Sequence, residues 1–357
     1  MEAPAMIDRP LHVAMVIPPW FELPPQGYGG IESMCADLVH GLVERGQRVT
    51  LVGTGRNGTE AAFVRTYRRP QGDRLGEALP EVVHAAALPS ILASLDADVV
   101  HDHSLAGPLL ASAHRLPTVV TAHGPVSGEM GEYYRHLGGM VALVAISDAQ
   151  RRAAPWLNWS ATVHNAVRTE TYPFRRRKHD FVLFLGRLAP AKGLPEAIAA
   201  AASAGLRLVI AAKCREPEEH DYLCRVVKPL LVGEIDWLGE VDGSRKRELL
   251  SQARCLLFPI QWEEPFGMVM IEAMACGTPV VALRRGSVPE IVEHGETGLI
   301  CDDPAELPAA LHRVHELDPV LCRRRVEDRF DAQSMAESYE RLYRAITRVD
   351  VAPARAS

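Results

Sequence analysis

Short apolar runs recur along this chain, and they alternate with stretches whose apolar positions return every three or four residues. In the first half the runs are "LHVAMVIP", "RVTLVG", "DADVVH", "PTVVTAH" and "MVALVAIS", each followed by a loop or a helix-compatible stretch. A second series repeats the pattern with "DFVLFLG", "LRLVIAA", "EIDWLG", "RCLLFP" and "TPVVAL". Continuous apolar runs of strand length belong to strands buried on both faces, and their alternation with helices is the signature of βαβ units in a parallel sheet. The pattern therefore predicts an α/β protein with two Rossmann-like, doubly wound sheets, one in residues 1–172 and one in residues 173–333. Between them "RTETYPFRRRKHD", residues 168 to 180, is polar, basic and aperiodic, and reads as a linker whose Arg175, Arg176, Arg177 and Lys178 are solvated. The alanine-rich "EAIAAAASAG" reads as a helix between strands. Near the end, Met335, Tyr339, Leu342, Tyr343 and Ile346 are spaced for one face of an amphipathic helix, and the final "APARAS" reads as frayed.

Length agrees with this division. At 357 residues the chain exceeds the roughly 250 to 300 residues that one hydrophobic core usually serves. A formal charge of -6 argues against a nucleic-acid-binding body. The seven cysteines are scattered and form no close pair, which predicts reduced thiols in a cytoplasmic protein, most of them small core residues. "MEAPAMIDRP" lacks the basic and apolar segments of a secretion signal, and no apolar run approaches the ~20 residues of a membrane span.

Ligands of open parallel sheets bind beyond the carboxyl ends of the strands, so the residues following each run carry the candidate chemistry. After the first run, "FELPPQGYGGIESM" places Gly29 and Gly30 just ahead of a helix, where backbone N–H groups approach an anion closely; a plain helix-starting turn has the same composition. After "DFVLFLG", the loop "GRLAPAKG" holds Arg187 and Lys192, a pair suited to a diphosphate or, alternatively, two surface charges beside a turn. The third place is "EEPFGMVMIEAMACGTPVV", with Glu264 in a loop, Gly267 at a turn and Glu272 inside an almost wholly apolar helix. A buried carboxylate without donors costs several kcal/mol or more. Either the protein supplies those donors to Glu272 or the hydroxyls of a ligand do.

Taken together, these motifs resemble the retaining glycosyltransferases of family 4. The resemblance runs through nearly the whole chain in order: "YGGIE", "TAHG" at residues 121 to 124, "AISDAQR" at 145 to 151, "GRLAPAKG", the Glu264 and Glu272 pair around "PFG", and "GTPVVA". It implies the GT-B architecture, two Rossmann-like domains facing across a cleft, with residues 334–357 forming a helix that crosses back to the first. It further implies that Arg187 and Lys192 neutralise a leaving diphosphate, Glu272 holds a ribose and Glu264 meets hydroxyls of the donor sugar. Backbone N–H groups of Phe266, Gly267 and Met268 would reach the sugar and phosphates, Gly29 and Gly30 would cover the diphosphate, and backbone near Val241 would hold the base. His123 matches a position beside the reacting carbon of the sugar. No metal or other cofactor is implied; the co-substrate is a nucleotide-diphosphate sugar, with a UDP-sugar favoured.

Two other readings use the same pocket, a GT-B epimerase of nucleotide sugars and a noncatalytic nucleotide-sugar-binding protein. The epimerase calls for additional acid and base carboxylates, and a binding protein dispenses with His123 and Glu264. The acceptor is a hydroxyl compound of unassigned class, saccharide, lipid or small molecule, and peripheral membrane contact is compatible with the sequence. Tyr28, Trp20, Tyr133 and Tyr134 are candidates for stacking on it, and the segment from Gly124 to Gly139 reads as its selecting loop. The histidines of "HDH", residues 101 to 103, read as structural or acceptor-side groups.

Overall fold

The computed structural model describes residues 9–27 and 29–349. Seven parallel strands, β1 (His12–Val16), β2 (Arg48–Thr54), β3 (Ala62–Tyr67), β4 (Val99–Asp102), β5 (Thr118–Ala122), β6 (Ala142–Ala145) and β7 (Trp159–Thr162), make one sheet in the order β3-β2-β1-β4-β5-β6-β7. A second parallel sheet holds β8 (Val182–Arg187), β9 (Leu208–Lys213), β10 (Ile235–Gly239), β11 (Cys255–Phe258), β12 (Val280–Leu283) and β13 (Gly298–Cys301) in the order β10-β9-β8-β11-β12-β13. In each sheet the chain winds outward from the first strand, then returns to its other side. The switch points therefore lie between β1 and β4 and between β8 and β11, where crevices open at the carboxyl edge.

Every residue of β1, β4, β5, β11 and β12 is buried, as their unbroken apolar runs require. Three strands have no counterpart among the apolar runs: β3, β7 and β13. All three are sheet edges. β3 and β7 are partly solvated and mix polar with apolar residues, while β13 is only four residues, "GLIC". β3 and β7 pair on one side only and commit less of their sequence to burial, whereas β13 is fully buried and escapes notice because only Leu299, Ile300 and Cys301 form its run.

The basic linker differs from its sequence reading at one residue. Arg175, Arg176 and Arg177 are exposed, but the Lys178 ammonium donates to the carbonyl oxygens of Ser251 (3.0 Å) and Cys276 (2.9 Å) and to the Thr278 hydroxyl (2.8 Å). Burial draws its pKa down to about 8. Lys178 thus fastens the linker to the second half and is not a solvated charge. All seven cysteines are free thiols, and Cys35, Cys255, Cys276, Cys301 and Cys322 are core residues. Among the described residues, no helix is long and apolar enough to cross a membrane. The opening "MEAPAMID" and the final "APARAS" lie outside the described residues.

The amphipathic segment forms the helix Ala332–Val349, which leaves the second half and packs on the helix Gly30–Glu44 of the first. Met335, Ala336, Tyr339 and Tyr343 are buried in one cluster with Val13, Met15 and Leu38. Buried phenols need partners, and both have one. Tyr343 Oη lies 2.6 Å from His101 Nδ1, Tyr339 Oη lies 2.8 Å from Thr121 Oγ1, and Thr121 Oγ1 also meets His101 Nε2 at 2.8 Å. His101 is thus a structural residue joining β4 to this helix. A second tie between the halves is Glu290, whose carboxylate accepts from the backbone N–H groups of Asp148 (2.8 Å) and Ala149 (2.5 Å).

The two helices approach closely at Gly41, where an added Cβ would lie 2.8 Å from Ala336 Cβ and 2.9 Å from the Ala332 carbonyl oxygen. Overpacking of this kind typically costs 1 to 3 kcal/mol. Gly41→Val is expected to lower stability by about 2 kcal/mol in urea unfolding, whereas Gly46→Ala, with open space around it, is expected to cost less, through its positive φ of 78° alone. Equal losses in the two variants would show that the helix contact is not tight.

Candidate active site

The carboxyl edges of the two sheets face each other across a cleft of about 1130 Å³. That volume exceeds the roughly 300 to 1,000 Å³ of a typical single-ligand pocket and leaves room for two substrates. From the first half it is lined by Gly29, Gly30, Glu32, His103 and His123, and from the second by Arg187, Lys192, Val241, Glu264, Phe266, Gly267, Met268 and Glu272. Every residue assigned from the sequence to the donor site, with His123, therefore lies in this one cleft.

Glu272 sits in the helix Met268–Ala275, with its side chain 6% exposed. Its Oε1 accepts from the Lys246 ammonium (2.7 Å) and the Tyr172 hydroxyl (3.1 Å). The protein itself thus supplies donors to one oxygen, and Oε2 makes no hydrogen bond among the described residues. Lys246 comes from the first turn of the helix Gly243–Gln252, which Asp242 caps by accepting from the Arg245 N–H at 2.7 Å. Tyr172 comes from the linker. Neither partner is near Glu272 in sequence, which is why its surroundings were not legible there.

Glu264 is held in a similar way. Its Oε2 accepts from Lys192 Nζ at 2.5 Å and from the Trp262 indole at 3.0 Å, and the Lys192 ammonium lies 5.4 Å from the Trp262 ring centroid. The cation expected at a phosphate and the carboxylate expected at a sugar are therefore paired to each other. The backbone of the Glu264 loop is fixed as well: Ser287 N–H donates to the Glu264 carbonyl (3.0 Å), and Ser287 Oγ to the Phe266 carbonyl (2.7 Å).

Gly267 N-caps the helix Met268–Ala275 with φ 79°, a conformation in which a side chain is strained and in which an added Cβ would lie 2.8 Å from the Met270 methyl. Among the described residues, the N–H groups of Phe266, Gly267 and Met268 donate to no protein acceptor. They meet the positive end of the helix dipole, an arrangement that favours an anion. Opposite, Gly29 caps the helix Gly30–Glu44. Arg187 and Lys213 lie side by side at the carboxyl ends of β8 and β9. Arg187 is partly exposed, 3.9 Å from Glu219, whereas Lys213 is buried and pairs with Glu216 at 2.5 Å. Lys213 and Lys246 are cleft cations that the sequence reading missed. For Lys213 a signal existed: it ends the run "LVIAAK" at the ligand-binding edge of the sheet.

On the other wall His123 Nε2 lies 2.8 Å from His103 Nδ1. Desolvation pushes the His123 pKa down to about 4, so this histidine is neutral at neutral pH. The His103 Nε2 atom is buried and has no hydrogen-bond partner among the described residues. The segment read as an acceptor loop is instead the helix Gly128–Leu137, with Tyr134 and Leu137 in the core. Tyr134 is thus a packing residue. Its ring also borders the cleft, which Tyr133 and Trp20 line more openly, Tyr133 donating to the Leu105 carbonyl at 2.5 Å, and Tyr28 lies outside the described residues. Among the described residues no group of three or more His, Cys, Asp or Glu is arranged to hold a metal ion.

The loop after β4 that carries Ser104 and Leu105 to the cleft is fastened by Asp102. Its Oδ1 accepts from the Ser104 N–H (2.8 Å) and hydroxyl (2.7 Å), yet burial dominates and raises its pKa to about 7. A carboxyl whose folded pKa lies above its unfolded value stabilises fully below the unfolded value, and that contribution is lost as pH rises through about 7. Asp102→Asn keeps the acceptor oxygen and does not titrate. Between about pH 5 and pH 9, wild type is expected to lose on the order of 2 kcal/mol more than Asp102→Asn, read from urea midpoints at each pH. Parallel curves would refute the buried, protonated carboxyl.

Comparison with known proteins agrees with this geometry. The family model for glycosyl transferases group 1 matches residues 172–327, and that for glycosyltransferase family 4 matches residues 28–178. The chain is similar to the alpha-maltose-1-phosphate synthase of Mycobacterium tuberculosis, 31% identical over 325 residues that cover 78% of this chain and 81% of the relative. Among solved structures it is similar to AviGT4, a glycosyltransferase involved in avilamycin A biosynthesis, with a TM-score of 0.70 and 29% identity over 95% of this chain and 98% of that one. The fold also matches Anabaena HepE in complex with UDP and glucose, with a TM-score of 0.73 and 17% identity over 93% of this chain and 99% of that one.

Proposed function

The chain belongs to the group 1 glycosyltransferases of family 4, and on that premise we propose that it transfers a sugar, with retention of configuration, from a UDP-sugar to a hydroxyl acceptor in the cleft. The observation that carries the reading is the set of donors gathered on one wall. Arg187, Lys192, Lys213 and Lys246 converge there with the N–H groups of Phe266, Gly267 and Met268.

Glycosyl transfer builds positive charge on the sugar ring and negative charge on the departing diphosphate, so cations and N–H groups already aimed at the phosphates lower the barrier. The diphosphate sits against those N–H groups and Arg187, with Gly29 and Gly30 closing over it. Lys192 then exchanges its contact with Glu264 for a phosphate oxygen, and Glu264 is released to the sugar hydroxyls. Glu272 uses Oε2 for the ribose hydroxyls while Lys246 and Tyr172 keep Oε1 in place. Backbone near Val241 holds the uracil. The acceptor oxygen forms its bond to the anomeric carbon as the bond from that carbon to the phosphate oxygen breaks, and the acceptor proton passes to the departing diphosphate. His123, uncharged, positions the sugar beside the reacting carbon without adding a cation next to the developing positive ring. Support for UDP as the donor nucleotide comes from HepE, a protein of the same fold whose complex contains it. The cations serve where a metal otherwise would, and donor binding on this scheme is metal-independent.

The test is calorimetric titration with UDP, GDP and ADP, each with and without magnesium. UDP is expected to bind most tightly and independently of magnesium. Glu272→Gln keeps the contacts to Lys246 and Tyr172 in shape but removes the charge offered to the ribose. A hydrogen bond to a charged group contributes about 1.5 to 3 kcal/mol, so UDP affinity is expected to fall roughly 10- to 100-fold while stability changes by under about 1 kcal/mol. Loss of stability with UDP affinity intact would return Glu272 to a purely structural role.

A further inference from the structure

Charge is divided unequally between the two walls of the cleft. The lining cations Arg187, Lys192, Lys213 and Lys246 all belong to the second half of the chain. Among the described residues the first half contributes no lysine or arginine to the lining. It contributes four carboxyl groups, Glu32, Glu77, Glu81 and Glu129. Three of these are already satisfied or neutralised. Glu77 pairs with Arg74 at 2.8 Å. Glu81 accepts from the Leu105 N–H at 3.1 Å and holds the loop after β4. Glu32 is buried beside Gly29, and desolvation raises its pKa to about 7. Beside them the wall carries the polar but uncharged Ser33, Ser104, Thr121 and Asn165, the histidines His103 and His123, and a set of apolar side chains, Trp20, Phe21, Leu75, Met130 and Tyr133.

The apolar surface does not stop at the mouth. Val82, Leu105 and Leu109 line the cleft and are also 54%, 49% and 59% exposed. Leu79 and Val83, on the same helix Ala78–Ser94 as Val82, carry the strip outward and are exposed as well. Residues three and four apart on a helix share a face, so Leu79, Val82 and Val83 present one continuous edge. Large exposed aliphatic side chains grouped at a pocket mouth mark a surface that is covered in use.

We infer that the acceptor is an uncharged hydroxyl compound with an apolar body, whose hydroxyl reaches the sugar beside His123 while its apolar part runs out along Leu105, Leu109 and Val82. The inference rests on the donor assignment above for the direction in which the acceptor enters. An anionic acceptor finds no cation on this wall, and Glu129 there adds a like charge; moving it from water into such a site leaves its charge unpaired, which is costly. A bare sugar leaves the apolar strip in water.

The experiment measures equilibrium binding of octyl β-glucoside below its micelle concentration, butyl β-glucoside, glucose and glucose 1-phosphate to the full-length protein, with and without saturating UDP. Octyl β-glucoside is expected to bind at least tenfold more tightly than glucose or glucose 1-phosphate, with butyl β-glucoside in between. Leu109→Asp and Val82→Asp, both at exposed positions, are each expected to weaken octyl β-glucoside binding at least fivefold with an unchanged thermal midpoint. Binding of glucose 1-phosphate as tight as that of octyl β-glucoside, no advantage of the octyl chain over glucose, or no binding of any of the four overturns the inference. Failure of UDP to bind while the octyl preference holds would instead refute the donor assignment and leave the preference standing.

Discussion

All strands of a parallel sheet deliver their carboxyl ends to the same edge, and in this protein two such edges are turned toward each other. That constraint organises the rest of the molecule. His103 follows β4, His123 follows β5, Arg187 and Lys213 end β8 and β9, and the loop carrying Glu264 follows β11. Residues far apart in the chain therefore meet in one cleft without any long excursion. The arrangement holds only while the halves keep their relation, and two contacts between them bear on that: Glu290 on the start of the helix Asp148–Ala153, and the helix Ala332–Val349 returning to the first half. Met268, which opens the helix bearing Glu272, packs against the cores of both halves. The proposed donor site is thus built at the joint itself, where any closure of the halves around a substrate would act most directly.

Much of this was legible in the residues, and the pattern of what was not has a physical cause. Most buried strands announce themselves as apolar runs; the partly solvated edge strands β3 and β7 do not, nor does the short buried β13. The helix start at Met268 could be read from Gly267, and the burial of Tyr339 and Tyr343 from their four-residue spacing. Glu272 posed its question correctly, but its answer depends on Tyr172 and Lys246, 100 and 26 residues away. Periodicity reports how much of a side chain is buried. It is silent about which partner comes from elsewhere to satisfy a polar atom, and the same silence concealed Lys178, read as solvated and found fastened to three oxygens. It also concealed the helix Gly128–Leu137, whose glycines and paired tyrosines resemble a loop in composition while Tyr134 and Leu137 supply its buried face.

The pairing of Lys192 with Glu264 and of Lys246 with Glu272 has a consequence for catalysis. Four cations gathered on one wall repel one another, and in a partly desolvated cleft that repulsion is weakly screened. A carboxylate beside each of the three lysines, Glu264 at Lys192, Glu272 at Lys246 and Glu216 at Lys213, offsets it and holds the side chains in place. On the proposed donor assignment, binding a diphosphate becomes an exchange of partners rather than the ordering of free chains, which reduces the entropy lost on association. Such an exchange would also couple the two parts of the donor: Lys192 would leave Glu264 when phosphate arrives, and Glu264 would have free lone pairs for the sugar at the same moment. A nucleotide lacking the sugar satisfies the first half of this exchange and leaves Glu264 short of donors. The intact donor would satisfy both halves, so the proposed exchange favours the substrate over the nucleotide product.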